Sequence, residues 1–407
     1  MNLKHLLTAA LLGLSLSAAT PALAQRDSLR PEVGKPLQEA QKLIQAKQFK
    51  QALPAIDQAE AVGKLTDYEA FVIAQMRGAA YSGAGNAVKA AAAFEQVLDA
   101  KRLPKDEALN ISEAIVGTYF RAKDYPRAVQ WIERYRADGG TKPQVLGLLP
   151  QAFYLAGDFG KAAQASAVAV TASEKAGAKP DETLIKIMAA SYQKAKDADG
   201  YTRALEKLVR HYPTPEYWSD VIIRTAGRPG FSRNLDLDMY RLMRATGNLD
   251  EPKEYMEAVQ LSIQAGLPGE AMEILDEGFR KKILGAGDAA DTERQNRLKA
   301  LVEKRYAEDR KTIAETDADA AKAATGDPLV KTGLAYVTYG DAAKGLPMME
   351  QGLQKGQLKY PEQAKLHLGY AHYLAGDKAA AIKQLRTVKG DDGAADFARL
   401  WMLLAAR

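Results

Sequence analysis

Histidines are the first residues to test for chemistry. The chain has 407 residues, 4 His and no Cys, and beyond the N-terminal segment only His211, His367 and His372 remain. His367 and His372 are five residues apart, which puts them about 140° apart around a helix axis, so they do not share a metal. No H-E-x-x-H occurs. Gly83-Ala84-Gly85 begins like a dinucleotide-binding loop, but it lacks a third glycine and no strand precedes it. Gly160-Lys161 is followed by alanine and lacks the upstream glycine of a phosphate-binding loop. No G-x-S-x-G is present. Asp317 and Asp319 are not followed by the glycine and glutamate of a calcium loop, and Asn110-Ile111-Ser112 is a chance glycosylation triplet. These residues point to no catalytic centre, metal or cofactor, and the chain reads as a non-enzyme.

Five arginines form the densest cluster of one sign: Arg224, Arg228, Arg233, Arg241 and Arg244. Guanidinium groups suit phosphate or carboxylate, so this stretch is a candidate anion patch. Asp236 and Asp238 lie beside it and could neutralise it.

The elements that position these residues begin with an address. Lys4, the apolar run Leu6 to Leu16 and Ala22-Leu23-Ala24 form a cleavable export signal. The run is far short of the ~20 residues that span a bilayer. Cleavage after Ala24 would lower the formal charge from +5 to +4, too mild to imply nucleic acid. Without cysteine there is no disulfide and no lipid tether. The expected location is the periplasm of a Gram-negative bacterium, with secretion second.

Beyond the signal the chain repeats itself. Pro361 to Gly390 reads as two helices: Pro361 opens the first, Gly376-Asp377 turns the chain, and Ala381, Ile382 and Leu385 mark the second. Gly369 and Ala381 are small enough to let the helices approach closely. The second-helix small residue recurs at Ala52, Ala90, Ala128, Ala162, Ala204, Ala271, Gly345 and Ala381, at spacings of 38, 38, 34, 42, 67, 74 and 36. Gly78 with Phe94 and Gly333 with Met349 repeat the pattern of Gly369 with Leu385. Pro104, Pro180, Pro215, Pro328 and Pro361 mark repeat boundaries.

These spacings, near a unit of ~34 residues with a few inserted, resemble the tetratricopeptide repeat (TPR) family, over about residues 36 to 390. The resemblance implies an all-α, right-handed α-α superhelix of about ten helical hairpins, with one degenerate repeat in each long gap. The expected segments are a signal peptide over 1–24, a linker over 25–35, an N-terminal repeat block over 36–215, irregular repeats over 216–325, C-terminal repeats over 326–393 and a capping helix over 394–407. Within the irregular part, 225–234 reads as a glycine- and arginine-rich loop, and 291–316 as a long, charged, mostly solvated helix.

Such superhelices hold a peptide or protein segment in a groove lined by their first helices. The resemblance places Gln41, Gln45, Gln75, Glu113, Gln144, Gln151, Tyr154, Gln193, Lys194, Gln260, Gln264, Tyr370 and Tyr373 on that face. Amides pair with an extended backbone, and tyrosines add apolar area with a polar tip. The chaperone-binding lysines and asparagines of carboxylate-clamp repeats do not recur. In the last helix, Phe397, Leu400, Trp401 and Leu404 would cover the open end, leaving Met402 and Leu403 outward for self-association or docking. The expected function is a non-catalytic envelope scaffold that binds another protein. A binding module for envelope glycan or anionic lipid is the alternative.

Overall fold

The computed structural model describes residues 27–407; the expected signal peptide lies outside the described residues. Every regular element among them is helical. Two compact units divide the chain, one ending at Asp197 and the other beginning at Ala198, whereas the sequence reading ended its first block at 215.

The first unit contains α1 (Pro31–Gln45), α2 (Phe49–Ala61), α3 (Asp67–Gly83), α4 (Ala87–Asp99), α5 (Lys105–Arg121), α6 (Tyr125–Ala137), the single turn α7 (Pro143–Leu146), α8 (Leu149–Leu155), α9 (Phe159–Lys175) and α10 (Glu182–Lys194). The first helix starts inside the stretch expected to be a linker, because Pro31 fits the first helical turn and Val33, Leu37, Ala40 and Ile44 form a buried stripe. Arg30 then clamps Glu69 through its backbone and side chain at 2.9–3.0 Å. Glu69 also closes a capping box with Thr66 at the start of α3.

Successive helices pair as hairpins, and one packing rule recurs. A methyl on Gly78 would lie 2.8 Å from Phe94, one on Gly333 2.6 Å from Met349, and one on Gly369 2.5 Å from Leu385. Each pair spans sixteen residues and joins the two helices of its hairpin. Gly369 thus rests on Leu385 rather than serving Ala381 directly. The recurrent small residues Ala52, Ala90, Ala128, Ala162, Ala204, Ala271 and Ala381 are all fully buried. The turns follow a second rule. A left-handed residue ends the first helix, and an Asx side chain then caps the next: Gly376 (φ 81°) precedes Asp377, which accepts the Ala380 N–H at 2.9 Å. Lys123 takes the glycine place at φ 60°, ahead of Asp124.

The second unit runs through α11 (Ala198–His211), α12 (Pro215–Ala226), α13 (Asp236–Thr246), α14 (Pro252–Gln264), α15 (Pro268–Arg280), α16 (Ala289–Lys322), α17 (Asp327–Thr338), α18 (Ala342–Lys355), α19 (Pro361–Leu374), α20 (Lys378–Leu385) and α21 (Ala394–Ala405). Helices α12 and α13 are the degenerate repeat of the first long gap. The second gap is filled differently: one helix of 34 residues, α16, stands where a hairpin was expected. Its thin stripe of Gln295, Leu298 and Val302 is too narrow to recruit a second helix.

The last helix is not an open-ended cap. α21 packs on α19 and α20, and also returns to α11, α12 and α13. Phe397, Leu400 and Trp401 are buried, and Phe397 meets Phe231 edge-on at 5.2 Å. The glycine- and arginine-rich loop forms the other side of this seam: Ser232 N–H donates to the Asp392 carbonyl at 2.8 Å.

Candidate binding site

The closing of the second unit brings together side chains far apart in sequence. Asp238 and Arg241, one turn apart on α13, face Glu270 on α15 and His367 and Tyr370 on α19. Arg241 donates to Asp238 at 2.7 Å and grips both Glu270 oxygens at 2.7 Å. Tyr370 donates to Glu270 at 3.1 Å, and its ring lies 4.8 Å from the Arg241 guanidinium carbon. His367 Nε2 lies 3.1 Å from Asp238.

Burial alone would raise the Asp238 pKa, but the charges of His367 and Arg241 outweigh it and hold it at about 2. Asp238 is therefore a carboxylate, so His367 Nε2 carries the hydrogen it donates. Burial would lower the Arg241 pKa, yet Glu270 and Asp238 raise it well above the usual value. Burial and Glu270 push Tyr370 well up. This is a hydrogen-bonded, charge-paired network, which makes burying it tolerable.

The network borders a cavity of about 960 Å³, walled by α13, α14, α16, α17 and α19. Leu237, Leu261, Ile313, Val330 and Leu334 form its apolar surface, and Asp238 and His367 reach it from the network. Arg233, Lys331, Lys359 and Tyr360 line it from exposed positions. No serine lines it. The volume suits a short peptide segment or an organic molecule.

The predicted groove residues fare unevenly. Gln264 lines the cavity, whereas Gln260 is exposed away from it. Tyr370 is buried in the network, and Tyr373 packs on Trp401 at 4.9 Å, so neither faces a groove. In the first unit a cavity of about 670 Å³ lies along α9 and α10. Gln41, Gln75, Gln151, Tyr154, Gln193 and Lys194 do not line it, and Tyr154 leans on Phe159 at 5.5 Å. Gln45 and Gln144 are exposed, while Glu113 accepts an ion pair from Lys142.

The arginine patch dissolves into ion pairs. Arg224 pairs with Asp220 and Arg244 with Glu277, each at 2.7 Å, Arg228 with Asp396 at 2.8 Å and Arg233 with Asp236 at 3.4 Å, while Arg241 is buried. Asp236 and Asp238 neutralise Arg233 and Arg241 as expected, and Asp220 holds Arg224 one turn away. Asp396, Glu270 and Glu277 come from other helices, beyond the reach of local reading. Glu270 was missed, and Asp238 was named only as a neutralising neighbour of the arginines. The one signal for Glu270 was a charged residue on a buried stripe, directly before the buried Ala271.

Hairpins with this period and this small-residue packing are the unit of the fold. The fold is TPR-like. No protein-family model matches the chain, and no curated protein matches it. Among solved structures it is similar to the TPR2AB domain–pHSP90 complex of yeast Sti1, at 13% identity over 74% of this chain and 100% of that chain, with a TM-score of 0.24. Yeast Tom70 is similar at 12% identity over 90% of this chain and 94% of that one, TM-score 0.24. The maize pentatricopeptide repeat protein PPR10 follows at 14% identity over 97% of this chain and 65% of that one, TM-score 0.25. Overlaps this low do not define a common overall shape.

Proposed function

We propose that the chain is a non-catalytic scaffold of the bacterial cell envelope that holds a peptide or protein segment in the cavity of its second unit. The cavity itself carries this reading. Its apolar surface accepts side chains, the Gln264 amide offers a partner to an extended backbone, and Lys331 and Lys359 suit acidic residues. A segment mixing apolar and acidic side chains fits best. Export rests on Lys4, the apolar run and Ala22-Leu23-Ala24. No described helix is long and apolar enough to cross a membrane.

A photo-crosslinking amino acid at Tyr360 tests the binding role in the native host. Adducts to one discrete protein are expected, absent when the probe stands at Gln151. Equal labelling from both positions would remove the cavity as the binding place. N-terminal sequencing of the native protein should begin at Gln25, and a start at Met1 would remove export.

A further inference from the structure

A different cavity of the second unit, about 510 Å³, lies between α11, α20 and α21. We propose that it binds an anionic amphiphile, with a phosphate or carboxylate head on the guanidiniums of Arg210 and Arg386 and an alkyl chain against Ile382, Met402 and Leu403. This site is independent of the peptide cavity, and either can fail alone.

Charge makes the first argument. Arg399, which also lines this cavity, is already held by Glu206 at 3.2 Å and by Asp396. Glu206 is the only carboxylate side chain in the lining, and it is committed to that pair. Arg210 and Arg386 have no side-chain hydrogen bond or ion pair among the described residues. Both stand at carboxyl ends of helices, Arg210 in the last turn of α11 and Arg386 at the C-cap of α20. The helix dipole explains why cations sit there, but it supplies only about half an elementary charge at each end. Half a charge does not cancel a whole one. Planar guanidiniums lining one cavity then offer forked donors to one oxyanion.

The rest of the lining decides what carries the oxyanion. Apart from the arginines and Glu206, the walls are Ile382, Met402, Leu403 and Ala406. None of these side chains has a strong hydrogen-bonding group. An extended peptide placed here would bury backbone N–H and C=O groups without partners, which is costly. An alkyl chain has no such groups and gains from the contact. Met402 and Leu403, expected to face outward for self-association or docking, are half-buried in this wall.

Octyl phosphate titrated calorimetrically into the full chain is the test, with octanoate, inorganic phosphate and octyltrimethylammonium alongside. Saturable one-to-one binding of octyl phosphate or octanoate is expected, and the tighter of the two identifies the head. Arg210→Gln with Arg386→Gln should weaken it at least tenfold without shifting the melting curve. If the pair fails to fold, the single variants should each show a smaller loss. Arg224→Gln, at an arginine already paired with Asp220, should leave binding unchanged. Unaltered affinity in the arginine variants would overturn the proposal. So would equal binding of octyltrimethylammonium, or inorganic phosphate binding as tightly as octyl phosphate. An arginine-dependent peptide that outcompetes both amphiphiles would also overturn it.

Discussion

Gly333 and Gly369 hold the same place in successive hairpins, yet their surroundings differ. A methyl at Gly333 would press on backbone, the Gly345 carbonyl at 2.6 Å and the Met349 nitrogen at 2.9 Å. At Gly369 it meets only the Leu385 side chain. Alanine gains about 1 kcal/mol of helix propensity over glycine, against an overpacking cost of about 1–3 kcal/mol. Gly369→Ala should therefore be nearly neutral, while Gly333→Ala should cost about 2 kcal/mol or more in urea unfolding. Equal effects would show that the close approach at Gly333 is not rigid. Arg241 gives a second expectation. Arg241→Met leaves Glu270 and Asp238 buried without their cation and should cost about 3–5 kcal/mol. Replacing Arg241 and Glu270 together by methionine and leucine should cost less. An Arg241→Met protein as stable as the original would mean that the network does not hold the three helices together.

Among the elements, α21 departs most from the role its sequence suggests. A terminal helix of a linear array covers one neighbour, whereas α21 touches five helices of its unit. Phe397, Leu400, Trp401 and Leu404 lie on its buried side. Full burial of each is worth about 1.5–3 kcal/mol, which together rivals the ~5–15 kcal/mol that hold a whole domain. A chain ending at Gly393 should lose the second unit's cooperative unfolding and keep the first unit's. Trp131 reports the first unit, and Trp218 reports what remains of the second. Two intact transitions would restore the simple cap. Helix α16 contrasts with it. Its pattern of charges with a thin apolar stripe made a long solvated helix legible, and its lone occupancy of a double gap follows from the same thin stripe.

For the molecule as a whole, acid should act on both units through carboxylates held by cations. Arg30 holds Glu69 at about 2 in the first unit. In the second, Lys281 and Arg244 overcome burial to hold Glu277 at about 2, as His367 and Arg241 do for Asp238. Each folded value lies below the ordinary one of 4.5 or 3.8. The stability they contribute is complete above those ordinary values and is lost as pH falls toward 2. Circular dichroism and tryptophan emission from pH 6 to 2 should show Glu69→Gln flattening the acid limb of the first unit, and Asp238→Asn that of the second. Unchanged slopes would place the acid sensitivity in other carboxylates.

The sequence by itself determined the hairpins, because what makes them is local. A glycine sixteen residues from a large side chain, a left-handed turn residue and an Asx cap all act within one repeat, and a period near 36 residues exposes them. It could not show which polar residues are buried, since that depends on which helices meet. Arg241 and Tyr370 looked like surface groups because Glu270, which pairs with both, lies 29 residues from Arg241 and 100 from Tyr370. Arg228 likewise finds Asp396 only because α21 folds back on the loop before α13. Tertiary structure alone decided the closing of the second unit, the distant carboxylates that complete the pairing of its arginines and the cavity beside them. The physical reason is that charge pairing and burial are set by distance in space, while periodicity records only distance along the chain.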